Sequence, residues 1–453
     1  MPLNITFMGG TGTVTGSKYL IDNGERRLLV DCGLFQGFKQ LRERNWAQFP
    51  IAPKFIDAVL LTHAHLDHSG YLPLLVRDGF RGSIIGTAAT RELCGLLLPD
   101  SGYLMEEEAK FANRHGFSKH KPARPLYTRE DAKRCLDRFT PYDFEERVQV
   151  FDGCTATFRV AGHILGAATI ELEWDGVKIV FSGDLGRFND ATMLPPQPVT
   201  TADFLLVEST YGDRRHDRSS PDEALTEVIN RTIRRGGTVI IPAFAVGRAQ
   251  SLLFHLSVLT RTGRIPTLPI YLDSPMAVDA SEIFCRFPAG RRLTDEQCRE
   301  ACHVATYVRE TEQSKALNTN RMPKIIISAS GMATGGRVLH HLKNYAPDRR
   351  STIVLAGYQA GGTRGAALRD GASEIKIHGS YVPVRAEVVS LDMFSAHADR
   401  DELMTWLGNF EAPPRQTFVV HGEPQSSDRL RHSIKERLGW DARVPEHMER
   451  VVL

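Results

Sequence analysis

The sequence predicts an α/β protein in two parts, one inserted within the other. Three observations lead there. Up to about residue 208 the chain is a series of short apolar, β-rich runs separated by glycine turns. From about Thr210 the texture changes to strand followed by helix, the alternation expected of a parallel sheet with covering helices. Beyond that stretch lie His397 in FSAHAD and His421 in VVHGE, residues of metal-ligand type that must return the chain to the chemistry of its first half.

In chain order, residues 4–8, 18–21, 27–31, the run ending at Leu61, and residues 156–160, 169–173 and 177–181 read as strands of one or two sheet layers. The glycine-rich stretch 9–17, GGTGTVTGS, follows a strand but leads into another strand. It therefore lacks the context of a dinucleotide-binding loop and reads as a hairpin turn. A helix is predicted over 128–138, with Thr128 and Asp131 as a capping box. In the inserted part the pattern predicts helix 221–235, strand 238–241, helix 247–259, strand 324–327, helix 335–344 and strand 352–356. Helix 401–410 and strand 417–420 close the chain, so residues 1-208 and 395-453 form one domain and residues 209-394 the insertion.

The chemistry is concentrated in His63, His65, Asp67 and His68, an HxHxDH cluster directly after the apolar run Ala58, Val59, Leu60 and Leu61. Imidazoles and a carboxylate crowded at a strand end lose hydration and repel when protonated, and a divalent cation removes both penalties. Alternation along an extended segment sends His63, His65 and Asp67 to one face, with His68 approaching from another side. Four ligands from one turn are too many for a single tetrahedral site that keeps a position open for water, so two metals are expected. Further ligands stand where apolar runs meet glycine: His163 in RVAGHILG, Asp184 in VKIVFSGDLG and His421 in TFVVHGE. Asp31, closing LLVDCG, is placed to orient the cluster through hydrogen bonds. Taken singly, a histidine such as His163 is more often a satisfied core residue; beside the cluster the balance turns to ligation.

HxHxDH, with Asp31 before it and His163 and Asp184 after it, resembles the metallo-β-lactamase superfamily. Glu208 in LLVESTYGDR, His397 in FSAHAD and His421 in VVHGE resemble the three extra motifs of its β-CASP group, as do IPAFAVGRAQ, LDSPMA and SASGMATGG. The resemblance covers nearly the whole chain and is to bacterial and archaeal RNases similar to the endonuclease subunit of the eukaryotic mRNA 3′-end cleavage machinery. It implies an αββα metallo-β-lactamase sandwich carrying an inserted β-CASP α/β domain. It also implies that His63, His65 and His163 hold one zinc and Asp67, His68 and His421 the other, with Asp184 bridging. Ligands of this kind suit manganese too. Histidine in the third extra motif, here His421, marks the RNA-processing members of the group.

A water between two cations loses its proton near neutral pH, and the same metals neutralise charge on a phosphoryl oxygen, so phosphodiester hydrolysis is expected. Asp67 is the residue to orient that hydroxide. His397, its tautomer set by Glu208, is the expected general acid, leaving a 5′-phosphate and a 3′-hydroxyl. An inserted cap favours single-stranded RNA over a paired helix, with endonucleolytic and 5′-exonucleolytic modes both open. Ser330, Gly331, Thr334 and Gly335 of SASGMATGG, and Arg364 in GGTRG, are candidate contacts to RNA phosphate, with tight-turn glycines the competing reading. Two rivals stand: a hydrolase of small esters or thioesters, which has no need of Glu208, His397 or a large insertion, and a non-catalytic RNA-binding scaffold, which has no need of every ligand position.

Composition bounds the rest. A chain of 453 residues with 42% hydrophobic and 24% charged residues buries two cores and is not disordered. A net charge of +2 neither demands nor excludes nucleic acid, because a phosphate-tracking groove needs local charge. Seven cysteines without a framework argue against a disulfide-stapled secreted protein. Cys298 and Cys302, four apart on a predicted helix, lack a second ligand pair and read as packing residues. MPLNITFMGG has no signal-peptide pattern and no segment approaches a membrane span, so a cytoplasmic protein with no membrane partner is expected.

Overall fold

The computed structural model describes residues 2–116, 118 and 120–453. The chain divides into two compact units, one formed by Met1–Phe188, Leu194–Arg215 and His397–Leu453, the other by Asn189–Met193 and His216–Ala396.

The first unit holds two seven-stranded sheets. One runs in the order Arg450–Val452, Asn4–Phe7, Tyr19–Asp22, Arg27–Val30, Ala58–Leu60, Ser83–Thr87, Phe139–Tyr142. The other runs Ala442–Arg443, Gln416–Val420, Phe204–Glu208, Val177–Phe181, Ala168–Trp174, Cys154–Val160, Arg147–Phe151. Their apolar faces meet in one core that includes Phe7, Leu60, Phe158, Trp174, Phe181 and Phe418, with the Phe7 and Phe418 rings 5.0 Å apart. Truncating one such ring to alanine costs about 3–5 kcal/mol. The stretch 9–17 joins the antiparallel strands Asn4–Phe7 and Tyr19–Asp22, as a hairpin turn should.

Both sheets change from antiparallel to parallel pairing, and the parallel parts position the site. Val177–Phe181, Phe204–Glu208 and Gln416–Val420 are parallel neighbours, with Glu208 in register with Val420. Their C-terminal ends therefore deliver Asp184, Glu208 and His421 to one edge. Arg27–Val30 and Ala58–Leu60 are likewise parallel, with Val30 opposite Leu60, so Asp31 and the HxHxDH segment leave the first sheet side by side.

The helix expected at 128–138 spans Arg129–Leu136, and its Thr128–Asp131 capping box is present. The 28-residue helix Ala88–His115 was not expected, because Gly95, Pro99 and Gly102 interrupt its pattern as breakers do. Gly102 serves a different end: a Cβ there would stand 2.7 Å from the Thr128 backbone, so glycine lets the next helix start against this one.

The second unit is built on a six-stranded, all-parallel sheet ordered Thr306–Tyr307, Ile270–Leu272, Ile325–Ser328, Val239–Pro242, Thr352–Leu355, Glu387–Ser390. Ile325, Ile326 and Ile327 are all buried, which is the signature of a strand covered on both faces. The helix expected from residue 335 begins at Val338, because residues 330–336 form an irregular loop closed on the Ser330 hydroxyl. Among the described residues, no helix is long and apolar enough to cross a membrane.

Candidate active site

All seven donors expected to ligate metal, together with Asp31, Glu208 and His397, belong to the first unit. The strand Ala58–Leu60 ends before the cluster, and His65 stands at the N-cap of the short helix Leu66–Ser69. This corrects the alternation expected of the cluster: Asp67 lies in that helix, not in an extended segment, and its carboxylate sits with His68 and His421. The turn is held by Gly33, where a Cβ would lie 1.6 Å from the Asp67 carbonyl oxygen.

Two donor groups result, His63, His65, His163 and Asp184 in one and Asp67, His68 and His421 in the other, each with its ligand atoms within 4.8 Å of one another. Asp184 stands between them. Its Oδ2 is 3.5 Å from His63 Nε2 and 3.6 Å from His163 Nε2, while its Oδ1 is 3.3 Å from both His68 Nε2 and His421 Nδ1.

The donors fit a cation. Two ligands at zinc–nitrogen distance in a tetrahedral shell are separated by about 3.3 Å. Here His65 Nδ1 is 3.2 Å from His63 Nε2 and 3.1 Å from His163 Nε2, and His68 Nε2 is 3.1 Å from His421 Nε2. The buried Asp184 Oδ1 makes no hydrogen bond although two imidazole nitrogens lie 3.3 Å away. A buried carboxylate oxygen so placed is costly unless a cation satisfies it. The cluster has the donors and the spacing that a metal site requires.

Protonation at His63, His65 and the two carboxylates agrees with that use, while at His68 the neighbouring carboxylates hold a proton that a cation would displace. Burial, followed by the neighbouring charge of His68, holds His63 well below the usual imidazole range, and burial takes His65 down to about 4. Both rings therefore offer lone pairs at neutral pH. Burial also opposes charge on His68, but Asp184 and Asp31 outweigh it and raise that pKa well above the ordinary value. For Asp184, burial resists ionisation and is overcome by His421 and His68, so the carboxylate stays charged. Asp67 follows the same logic through the His421 hydrogen bond.

Supporting contacts aim the rings. Asp31 Oδ2 lies 2.7 Å from His68 Nδ1, and its carboxylate is fixed by the Thr62 backbone N–H at 2.8 Å and the Thr62 hydroxyl at 2.9 Å. Thr62 Oγ1 also lies 3.1 Å from His63 Nδ1, and Thr210 Oγ1 lies 3.2 Å from His421 Nδ1. Both threonines escaped the sequence reasoning; adjacency to HxHxDH was the one available sign for Thr62. Asp31 and His421 have positive φ, 58° and 50°, a region that costs a non-glycine residue about 1–2 kcal/mol and is kept where the side chain must turn inward.

Glu208 is buried at the end of its strand, and its Oε1 accepts from the Leu185 N–H at 2.7 Å while its Oε2 accepts from the Thr210 N–H at 3.2 Å. His397 Nδ1 lies 3.2 Å from the same Oε1, and the His397 ring lies tilted against that of His163, their centroids 4.3 Å apart. Burial disfavours the charged ring; Glu208 and then Asp184 outweigh it and raise the His397 pKa. The arrangement suits proton donation beside a metal-held substrate.

The remaining candidates lie in the second unit. Ser330 Oγ accepts from the Thr334 N–H at 2.9 Å and the Gly335 N–H at 3.4 Å, closing the loop on itself. Arg364 commits its guanidinium to backbone carbonyls, donating to Lys376 at 2.6 Å and to Ala333 and Thr334 at 3.2 Å. Gly331 is packed against Phe244.

Three sequence profiles match the chain: the metallo-beta-lactamase superfamily over residues 11–226, the Beta-Casp domain over 249–368, and the Zn-dependent metallo-hydrolase RNA specificity domain over 381–445. A ribonuclease of Thermus thermophilus is 39% identical over 436 residues, covering 93% of this chain and 94% of its own. The transcription termination factor FttA of Pyrococcus abyssi is 33% identical, spanning 100% of this chain and 71% of its own. An RNase J-like protein of Methanocaldococcus jannaschii is 31% identical across 97% of each chain. A crystal structure of a protein of unknown function from Enterococcus faecalis shares the fold, with a TM-score of 0.56 over 100% of both chains at 14% identity. With its donor clusters and these matches, the chain belongs to the β-CASP group of the metallo-β-lactamase superfamily and is a metal-dependent hydrolase.

Proposed function

We propose that this protein is a ribonuclease that hydrolyses phosphodiester bonds of single-stranded RNA with two zinc ions, leaving a 5′-phosphate and a 3′-hydroxyl. Manganese suits the same donors. The observation that carries this reading is the Glu208–His397 pair set beside the two donor groups, with His397 Nδ1 3.2 Å from Glu208 Oε1. The 3′ oxygen leaving a phosphodiester needs a proton, whereas a thioester expels a thiolate that needs no such acid. The RNA-specificity profile over 381–445 and the Thermus relative named as a ribonuclease support RNA as the substrate.

His63, His65 and His163 would hold one ion, Asp67, His68 and His421 the other, with Asp184 shared. When bound, such ions supply an activated water and neutralise charge growing on a phosphoryl oxygen. The chain's own residues do the rest. Asp67, whose Oδ2 lies 3.4 Å from His421 Nε2, would ligate through one oxygen and keep the other to orient the attacking water. Glu208, pinned by Leu185 and Thr210, fixes the His397 tautomer and keeps that ring protonated for delivery to the departing 3′ oxygen. Asp31 fixes the His68 tautomer so that Nε2 faces the cluster.

In the same reading, residues 1-208 and 395-453 form the metallo-β-lactamase domain and residues 209-394 the inserted β-CASP domain. Ser330, Gly331, Thr334, Gly335 and Arg364 offer contacts to RNA phosphate, and Arg364 also donates to the Ala333 and Thr334 carbonyls of that loop. A cytoplasmic setting fits seven cysteines that are all free thiols.

The test is a comparison of substrates. Zinc-loaded protein is incubated with a labelled oligoribonucleotide, a chromogenic β-lactam and a thioester, and the RNA products are analysed for their ends. Cleavage of RNA to 5′-phosphorylated fragments is the expected result. Turnover of the small esters with intact RNA would replace this reading with that of a small-molecule hydrolase.

A further inference from the structure

In the second unit, helix Pro275–Arg286 carries Cys285 one residue before its end, and helix Asp295–His303 carries Cys298 and Cys302. Cys302 does more than pack. Its Sγ lies 3.4 Å from Cys285 Sγ, and both residues are only half-buried. A shift of little more than 1 Å would bring the pair to the S–S bond length of about 2.05 Å. Cys298 differs: it is buried, and Arg291 Nη1 donates to its Sγ at 2.5 Å.

The three thiols are electrostatically unequal. The Cys285 S–H directed at Cys302 lowers the Cys302 pKa to about 6 against the opposing effect of burial. Its hydrogen bonds to Cys298 and Cys302, together with burial, push Cys285 up. The same Cys285 hydrogen bond brings the buried Cys298 down to about 7. Cys302 is the lower and the more accessible of the two, with the protonated Cys285 beside it, the division of labour between an attacking and a resolving cysteine.

We propose that Cys285 and Cys302 form a peroxide-responsive dithiol that closes to a disulfide between the ends of the two helices. The Cys302 thiolate attacks a peroxide O–O bond. With one proton taken up, this gives the sulfenic acid and water, or an alcohol from an alkyl peroxide. The Cys285 thiol then attacks the sulfenic sulfur, the S–S bond forms, and the sulfenic oxygen leaves as water with the Cys285 proton. Two thiols lose two electrons in all, and the peroxide gains them. A dithiol reductant reverses the change.

The clamp lies on the frame of the loop that precedes helix Val338–Tyr345. Arg337 donates to Asp273 at 2.7 Å, two residues before the first helix, and to the Val308 and Arg309 carbonyls at 3.1 and 2.6 Å, just beyond the second. The disulfide ties together the two segments from which that arginine is held.

The experiment is peptide mapping of the full-length, metal-loaded protein after hydrogen peroxide treatment, acid quenching and alkylation of remaining thiols. The proposal expects a cross-linked peptide pair joining Cys285 to Cys302, lighter by two hydrogens, abolished by dithiothreitol and retained in Cys298→Ala. In Cys285→Ala, a dimedone adduct should accumulate on Cys302. A cross-link made through Cys298, or full alkylation of Cys285 and Cys302 after peroxide, would overturn it. The wild-type digest decides between these outcomes even if a variant folds poorly.

Discussion

Asp31 Oδ2 lies 2.7 Å from His68 Nδ1, and this contact decides which nitrogen of His68 faces the donor cluster. The carboxylate is fixed in turn by Thr62, so Asp31 sets the direction of a ring proposed to ligate metal. Replacing Asp31 with Ala is expected to weaken metal binding by about 10–100-fold, the usual effect of losing such a partner. Competition with a calibrated chelator measures this directly. Unchanged affinity would mean that His68 is oriented by Asp184 alone.

In the proposed mechanism Glu208 works through His397, whose Nδ1 lies 3.2 Å from Glu208 Oε1. Burial disfavours the charged ring, and Glu208 is the first of the groups that restore it, so the His397 pKa is raised. A raised pKa keeps the proton on the acid to higher pH, and activity is lost as pH rises through it. In Glu208→Gln the alkaline fall in kcat should move to lower pH, with kcat reduced by about 10²–10⁴-fold. A pH–rate profile of both proteins checks the sign; an unshifted alkaline limb would count against the pairing.

Metal removal should loosen the first unit. The donors of two groups converge with a buried Asp184 oxygen that makes no hydrogen bond, and a ligand that binds only the folded state stabilises it by mass action. At a thousandfold excess over Kd this is worth about 4 kcal/mol. Chelation should therefore lower Tm, and added zinc or manganese should restore it. Calorimetry with and without chelator reads the shift.

Asp273 should matter to the second unit's stability. Its buried carboxylate accepts from His341 Nε2 at 2.6 Å, Ser314 Oγ at 2.5 Å and Arg337 at 2.7 Å. Burial resists ionisation, but the hydrogen bonds from His341, Ser314 and Arg337 win and lower its pKa. A lowered folded pKa gives stability that is complete above the ordinary carboxylate value and is lost as pH falls through the folded one. Asp273→Ala removes one side of a buried ion pair and should cost about 3–5 kcal/mol in denaturant unfolding. A loss below about 1 kcal/mol would show the network to be dispensable.

Much of this architecture was legible in the sequence, for identifiable physical reasons. Strands buried on both faces read as continuous apolar runs, so Ile325–Ser328 and its neighbours announced a parallel sheet. HxHxDH was legible because crowded imidazoles have so few other uses. Helix Ala88–His115 was not, since Gly102 and Pro99 look the same whether they break a helix or fit its packing. Thr62 and Thr210 were hidden because a hydroxyl gains its role only when the fold brings a ring nitrogen within 3.1 to 3.2 Å. The Asp67 position differs from the expected one for a local reason: the strand ends at Leu60 and a helix starts at Leu66, so strand alternation does not reach Asp67. Cys285 went unnoticed because 17 residues separate it from Cys302, and only helix packing makes them neighbours.

The most direct measurement is single-turnover cleavage of 5′-labelled and 3′-labelled single-stranded RNA by zinc-loaded wild type and by His397→Ala, with bound metal quantified in both. Metal-dependent cleavage by the wild type, and loss of about 10² or more in rate by the variant at equal metal content, is the predicted result. Intact RNA with stoichiometric metal in the wild type, or equal rates in the two proteins, would contradict it.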